Sequence, residues 1–63
     1  MIERKEIQPY LNKKIGVLFW DSGKELFTRG FLLNVTENTI NIKTEYNIHI
    51  ISLQNITKIK IPL

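Results

Sequence analysis

The sequence predicts a mainly β domain, a small barrel of five strongly bent antiparallel strands preceded by a short helix. Runs rich in β-branched and aromatic residues recur along the chain, separated by short polar turns, which is typical of small all-β folds. The run at residues 24–35 is longer than an ordinary strand and has Gly30 near its middle, where a strand can bend sharply. A small sheet must bend in this way to close into a barrel.

The composition indicates one small domain, spanning residues 1–63, that is not cross-linked by disulfides or a bound metal. A chain of 63 residues is near the lower limit for independent folding. It has no cysteine and one histidine, so we expect no disulfide, no metal site and no cofactor. Eleven isoleucines supply most of the apolar surface. Because so small a core barely offsets the conformational entropy lost on folding, we expect the chain to self-associate.

Charge and hydropathy bear on the partner and the compartment. The net charge of +3 and the pI of about 9.5 are compatible with nucleic acid, but a Lys- and Asn-rich codon usage explains them equally well. No stretch approaches the roughly 18–20 apolar residues that span a bilayer. Residues 1–11 lack the apolar centre of a secretory signal. We therefore expect a soluble, cytoplasmic protein with no membrane partner.

Residues 1–12 contain the one candidate helix. Pro9 cannot lie deep inside a helix because it has no amide donor. Two shorter possibilities stay open: a helical turn that ends near Gln8, or one that begins at Pro9. In either case we expect Ile7, Tyr10 and Leu11 to pack over an open end of the sheet.

The first strand leads into a tight turn. It is apolar on both faces, so its periodicity does not determine which side faces the core. We assign Ile15, Val17 and Phe19 to the inside, which places Trp20 on the outside or at an interface. Asp21-Ser22-Gly23 follows, combining a short acceptor side chain with a glycine that tolerates positive φ. The long second strand comes directly after this turn.

Three further strands complete the predicted barrel. The third is expected over residues 39–44 with Ile40 and Ile42 inward, the fourth over 48–52, and the fifth over 56–61. The segments expected to connect or interrupt these strands are Thr36-Glu37-Asn38, Glu45-Tyr46-Asn47 and Leu53-Gln54-Asn55. Amide and hydroxyl side chains in these segments are typical of turns.

The order of the hydrophobic, glycine and turn residues resembles that of a known family. The residues that carry the likeness are Val17, Phe19, Gly23, Gly30-Phe31-Leu32, Val35 and the segment 38–42. Over nearly its whole length the chain resembles the Sm-like family of Sm, Lsm and Hfq proteins, and its stretch 51–56 is similar to the Ile-Pro-Leu-x-Asn-Ile ending of some small bacterial members. It departs from the family in having Thr36 in place of an acid, in having Gln54-Asn55 in place of an Arg-Gly pair, and in lacking the Lys-His pair of Hfq.

The resemblance implies a ring of identical Sm-like domains, a hexamer or heptamer. In such a ring strand four of one copy pairs with strand five of the next, so that every sheet edge is satisfied. The residues that we expect at this interface are Ile48, Ile50, Ile51, Ile59 and Trp20. Leu18 is a further apolar outer position.

The resemblance also implies binding of single-stranded RNA. Such contacts need an amide, a platform on which a base stacks, and positive charge for phosphate. The candidate RNA-binding residues are Asn38, Gln54, Asn55, Tyr46 and Lys58. Asn and Gln are equally common as turn residues that bond to local backbone, so a purely structural role stays open. Trp20 and Phe27 are further aromatic candidates, although a Trp on an apolar strand more often packs inside a protein or interface.

We expect neither catalysis nor a small-molecule substrate. There is no cysteine and no paired carboxylate, and His49 lies in mid-strand with no acid at a telling spacing. We expect His49 on the outer face. Two classes without a nucleic-acid role stay open: an Sm-like or SH3-like module that binds protein through an apolar strand edge, and a structural subunit of a larger assembly.

Overall fold

The computed structural model describes residues 2–63, in which a short helical segment precedes five strands. The elements are α1 (Arg4–Ile7), a first 3₁₀ turn (Gln8–Tyr10), β1 (Lys14–Asp21), β2 (Lys24–Val35), β3 (Thr39–Lys43), β4 (Ile48–Ser52), a second 3₁₀ turn (Leu53–Asn55) and β5 (Ile56–Lys60). All neighbouring strands are antiparallel and form one sheet in the order β4-β3-β2-β1-β5. The mainly β prediction is confirmed. The edge strands β4 and β5 do not pair with each other, so the sheet is open and its closure into a barrel stays a prediction.

β2 is shared by two halves of the sheet, and Gly30 lies where they meet. The first part of β2 pairs with β1 as far as Phe31, and the last part pairs with β3 from Phe31 onward. A Cβ atom on Gly30 would lie 2.9 Å from Ile42 Cγ2 and 2.9 Å from the carbonyl carbon of Lys43, so only glycine allows β3 to approach this closely. The pairing of β2 with β3 also shifts register between Leu32 and Asn34, an irregularity of the kind that bends a strand.

The sequence leaves two places open for a helical turn in the amino-terminal segment, and the structure has a turn at each of them. α1 ends before Pro9, and Pro9 lies near the start of the first 3₁₀ turn, where its missing N–H costs little. Ile7 is fully buried and Tyr10 packs partly against the core. The prediction that Leu11 packs on the sheet is wrong: its side chain is 39% exposed and is not among those packed against the core, and the chain turns at the next residue, Asn12, whose φ is 65°. Within residues 2–63 no helix has the length and apolar character needed to cross a membrane.

One apolar core lies on the inner face of the sheet, beneath the helical segment. Its buried residues are Ile7, Ile15, Val17, Leu32, Val35, Ile40, Ile42, Ile51, Leu53 and Ile56. Phe19 is partly buried against this core. The inward assignments for the first and third strands are therefore confirmed. Two backbone hydrogen bonds, from Asn12 N–H to the Leu32 carbonyl (2.7 Å) and from Leu32 N–H to the Lys13 carbonyl (3.0 Å), attach the helical segment to β2.

Two residues with positive φ close the hairpin between β1 and β2. Ser22 has φ 54° and Gly23 has φ 78°, between the paired residues Asp21 and Lys24. Positive φ at both central residues is the type I′ pattern, whose twist matches that of the flanking strands. The predicted tight turn is confirmed.

Two residues of β4 face the opposite way from the prediction. Ile51 is only 5% exposed, and His49 pairs across the sheet with buried Ile42. Because alternate residues of a strand share a face, both side chains point to the core side, and Ile48 and Ile50 point outward. The predictions that Ile51 and His49 lie on the outer face are therefore wrong. Isoleucines occupy both faces of β4, so its periodicity carries no information on orientation.

Candidate nucleic-acid interface

Three rows of side chains cross the outer face of the sheet, opposite the core. Cross-strand partners in a sheet project their side chains to the same face, so the strand register defines each row. The rows are Lys58–Leu18–Phe27, Lys60–Gly16–Arg29 and Lys14–Phe31–Lys43. None of these residues is acidic, and all five cations and both phenylalanines are exposed. We call the five cations and two phenylalanines of these rows the outer basic face.

The Phe27 ring lies at the centre of the first two rows. Its Cζ atom would be 2.7 Å from a Cβ on Gly16, so the ring occupies the space above this glycine. The charged ends of Arg29 and Lys60 each lie 5.6 Å from the ring centroid. Such cation–π contacts stabilise an exposed site by about 0.5–1 kcal/mol each. They hold two positive charges beside an exposed aromatic surface.

A groove of about 490 Å³ lies at the edge of the third row. It is lined by Lys14, Arg29, Gly30, Phe31, Lys43, Thr44, Glu45 and Tyr46. Three cations therefore accompany one carboxylate, and two aromatic rings contribute apolar surface. Phe31 is 51% exposed and Tyr46 is 89% exposed. The combination of exposed rings with excess positive charge suits a ligand that is both planar and anionic.

The backbone that carries Tyr46 is held by the side chain of Thr44. The Thr44 hydroxyl accepts hydrogen bonds from the N–H groups of Tyr46 (3.3 Å) and Asn47 (3.2 Å), and Thr44 N–H donates to the Asn47 carbonyl (2.9 Å). The turn between β2 and β3 has the same design. There the Thr36 hydroxyl accepts from the N–H groups of Asn38 (3.3 Å) and Thr39 (2.9 Å). Asn38 and Tyr46 are therefore matching third residues of two similar turns.

The five candidate RNA-binding residues do not form one site. Asn38 and Gln54 line one depression, and Asn55 lines another that includes Trp20. Tyr46 lines the groove, and Lys58 belongs to the outer basic face. The structure thus separates the candidate amides from the best-exposed ring and from the positive charge.

The depression lined by Asn38 and Gln54 is a poor phosphate site. Its charged residues are Glu3, Glu37 and Arg4, so two carboxylates accompany one cation. Phosphate binding depends on neutralising charge with Lys or Arg, and an excess of carboxylates opposes it. The electrostatics favour the outer basic face over these loops.

The predicted interface residues are distributed between surface and core. Ile50 is 71% exposed, and Ile48 and Trp20 are also exposed. Ile59 is partly buried against the core, and Ile51 is a core residue of the single chain. β4 and β5 each lack a strand partner along their outer side within residues 2–63. The free edge of β4 and its exposed isoleucines therefore lie together.

Sequence reasoning did not identify the outer basic face as a unit. One signal for it is present: residues Phe27, Arg29 and Phe31 alternate along β2, as do Lys58 and Lys60 along β5. Alternation places each set on one face. Bringing the two sets together requires the pairing of β5 with β1, which connects distant parts of the chain.

Within residues 2–63, no three or more His, Cys, Asp or Glu side chains cluster in a way that could hold a metal ion. Comparison with known proteins gives no match: no family model, no curated protein and no solved structure matches this chain.

Proposed function

We propose that this chain binds single-stranded RNA on its outer basic face and that identical copies assemble into a ring. The observation that carries the proposal is the set of three adjacent rows with five cations, two exposed phenylalanines and no acid. Sequence resemblance to the Sm-like family agrees with both parts of it. We further propose that the protein acts in the cytoplasm.

The chemistry of the outer basic face suits a flexible single strand. Lys and Arg side chains neutralise phosphates and release counterions, and exposed rings stack on bases of any identity. Phe27 and Phe31 provide such rings, and Arg29, Lys14 and Lys60 lie beside them. None of these contacts reads the hydrogen-bonding edge of a base, so binding should show weak sequence preference.

Ring assembly is supported by the open sheet. The free edges of β4 and β5 expose backbone donors and acceptors that another strand can pair with, and β4 also exposes Ile48 and Ile50. Pairing β4 of one copy with β5 of the next extends the sheet from chain to chain. Such contacts cover edges, so the outer basic faces stay open and repeat around the ring. Repeated sites on one assembly raise the affinity for a long strand through effective concentration.

One observation favours a second function, which is contact with another protein. Ile48, Ile50, Trp20 and Leu26 are all exposed, and Trp20 and Leu26 line one depression together with Ile50 of β4. A partner protein with a free strand would satisfy the edge as well as a second copy does. Apolar contact responds weakly to salt, whereas phosphate binding weakens steeply.

Fluorescence anisotropy with labelled oligo-U and oligo-A tests the RNA proposal. We expect both to bind at low salt and to dissociate as salt rises. The double variant Arg29→Gln, Lys60→Gln removes two charges of the outer basic face. It should weaken binding about tenfold and lower the slope of log affinity against log salt by about 1–2.

The matched control removes two charges elsewhere. In the double variant Lys5→Gln, Lys24→Gln the changed residues lie on α1 and at the β1–β2 turn, and the net charge is the same as in the test variant. We expect much weaker effects on affinity and slope. Failure of the unmodified chain to bind either oligonucleotide at low salt would overturn the proposal. Equal losses in both double variants would overturn the assignment to the outer basic face.

A further inference from the structure

We propose that the groove lined by Phe31 and Tyr46 is a nucleotide subsite, which takes one base against the two rings and its phosphate against Lys14, Arg29 and Lys43. The inference rests on the proposed RNA function and deepens it. It places the anchoring contact of the RNA at the β3–β4 turn and the centre of β2, rather than at the turn that carries Asn38.

The two rings of the groove have surface to offer a ligand. Tyr46 is 89% exposed and Phe31 is 51% exposed, so a large part of each side chain is accessible to a ligand. Because Thr44 fixes the backbone of the turn that carries Tyr46, less freedom is lost when a ligand stacks there. A nucleobase is planar and has an apolar face that matches such rings.

The cations of the groove are positioned by the sheet. Lys14 and Lys43 are the cross-strand partners of Phe31 on its two sides. Arg29 lies two residues before Phe31 on the same strand and therefore on the same face. In residues 2–63 the single ion pair joins Lys5 and Glu3, so none of these three cations has a carboxylate in contact. Their charge is available to a phosphate.

The size of the groove is that of a small-ligand site. Its volume of about 490 Å³ lies within the range of roughly 300–1,000 Å³ that is usual for ligand sites. An acidic peptide would also satisfy the three cations. It would leave the two rings uncovered, so the aromatic lining favours a nucleotide.

The test compares substitutions at the matching third residues of the two similar turns. Tyr46→Ala removes the exposed ring, and because this side chain packs on almost nothing, the fold should be unaffected. We expect affinity for labelled oligo-U to fall about tenfold. Tyr46→Phe, which keeps the ring, should retain the affinity of the unmodified chain, and Asn38→Ala should do so as well. In NMR spectra, adding uridine monophosphate should shift the ring resonances of Phe31 and Tyr46.

Each other outcome has a distinct meaning. Tight oligonucleotide binding that Tyr46→Ala leaves unchanged would overturn the subsite and leave the proposed function standing. Loss of affinity in Asn38→Ala but not in Tyr46→Ala would overturn it in favour of the loop residues. If polyglutamate of the same net charge as the oligonucleotide binds as tightly as the oligonucleotide does, the subsite is overturned in favour of an acidic protein partner. No binding of RNA by the unmodified chain would overturn both this inference and the proposed function.

Discussion

Gly30 lies directly against the backbone of Lys43, and a Cβ atom on Gly30 would be 2.9 Å from the carbonyl carbon of Lys43 and closer still to its oxygen. This contact joins β2 to β3 at the point where β2 leaves its pairing with β1. The close approach of β3 to β2 at this point therefore depends on the absence of a side chain at Gly30.

Gly30→Ala should lower the free energy of unfolding by about 2–4 kcal/mol, because backbone must move to admit the methyl group. Gly16→Ala is the matched control. A Cβ atom on Gly16 would lie 2.7 Å from Phe27 Cζ. That atom is the far end of an exposed side chain, which can move aside. We expect Gly16→Ala to cost less than about 1 kcal/mol. Urea denaturation measures both values, and equal costs would contradict this account of the bend.

The positions of the strands and the tight turns follow from local signals in the sequence. Gly30 within a long run indicates a bent strand, and Ser22-Gly23 indicates a two-residue hairpin turn. Both signals are local and do not depend on the rest of the chain. For that reason the predicted strands agree closely with those of the structure.

The parts that the sequence does not predict depend on distant contacts. Ile51 lies in the core and Ile50 on the surface because β4 pairs with β3 in one register, whereas either face of β4 is apolar enough to be buried. Likewise, Lys60 meets Phe27 because β5 pairs with β1. Asn38 and Asn55 are both turn residues, yet they line different depressions, and no spacing rule reveals this.

Thr36 should stabilise the turn between β2 and β3 through its hydroxyl. Thr36→Ala removes the acceptor for the N–H groups of Asn38 and Thr39, and we expect the free energy of unfolding to fall by about 1 kcal/mol. Thr36→Asp keeps an acceptor at this place and should recover most of the loss. Thr44→Ala removes the equivalent hydroxyl of the β3–β4 turn and should cost a similar amount. Thermal or urea unfolding measures all three, and a Thr36→Ala variant as stable as the original would show that the hydroxyl is replaced by water at no cost.

Ile50→Lys should prevent ring assembly without unfolding the chain. Ile50 is 71% exposed on the outer face of an edge strand, so a lysine there is tolerated by the single chain but resists burial against another copy. Light scattering should show a multimer for the unmodified chain and a monomer for the variant. Leu11→Lys, at an exposed apolar residue that belongs to neither edge strand, should leave the multimer intact. A monomeric unmodified chain would contradict the ring, and a multimer that survives Ile50→Lys would place the contact elsewhere.

Glu45→Gln should tighten RNA binding about two- to threefold, because it removes the one carboxylate of the groove while the three cations stay. The gain should shrink as salt rises, since the charge is exposed and screened. Glu37→Gln is a closely matched control, because Glu37 is the second residue of the similar turn between β2 and β3 and lines the depression with Asn38. Both variants change the net charge by the same amount, so a general electrostatic effect would raise the two affinities equally. A larger gain for Glu45→Gln locates the bound phosphate at the groove, whereas a larger gain for Glu37→Gln locates it beside Asn38 and Gln54.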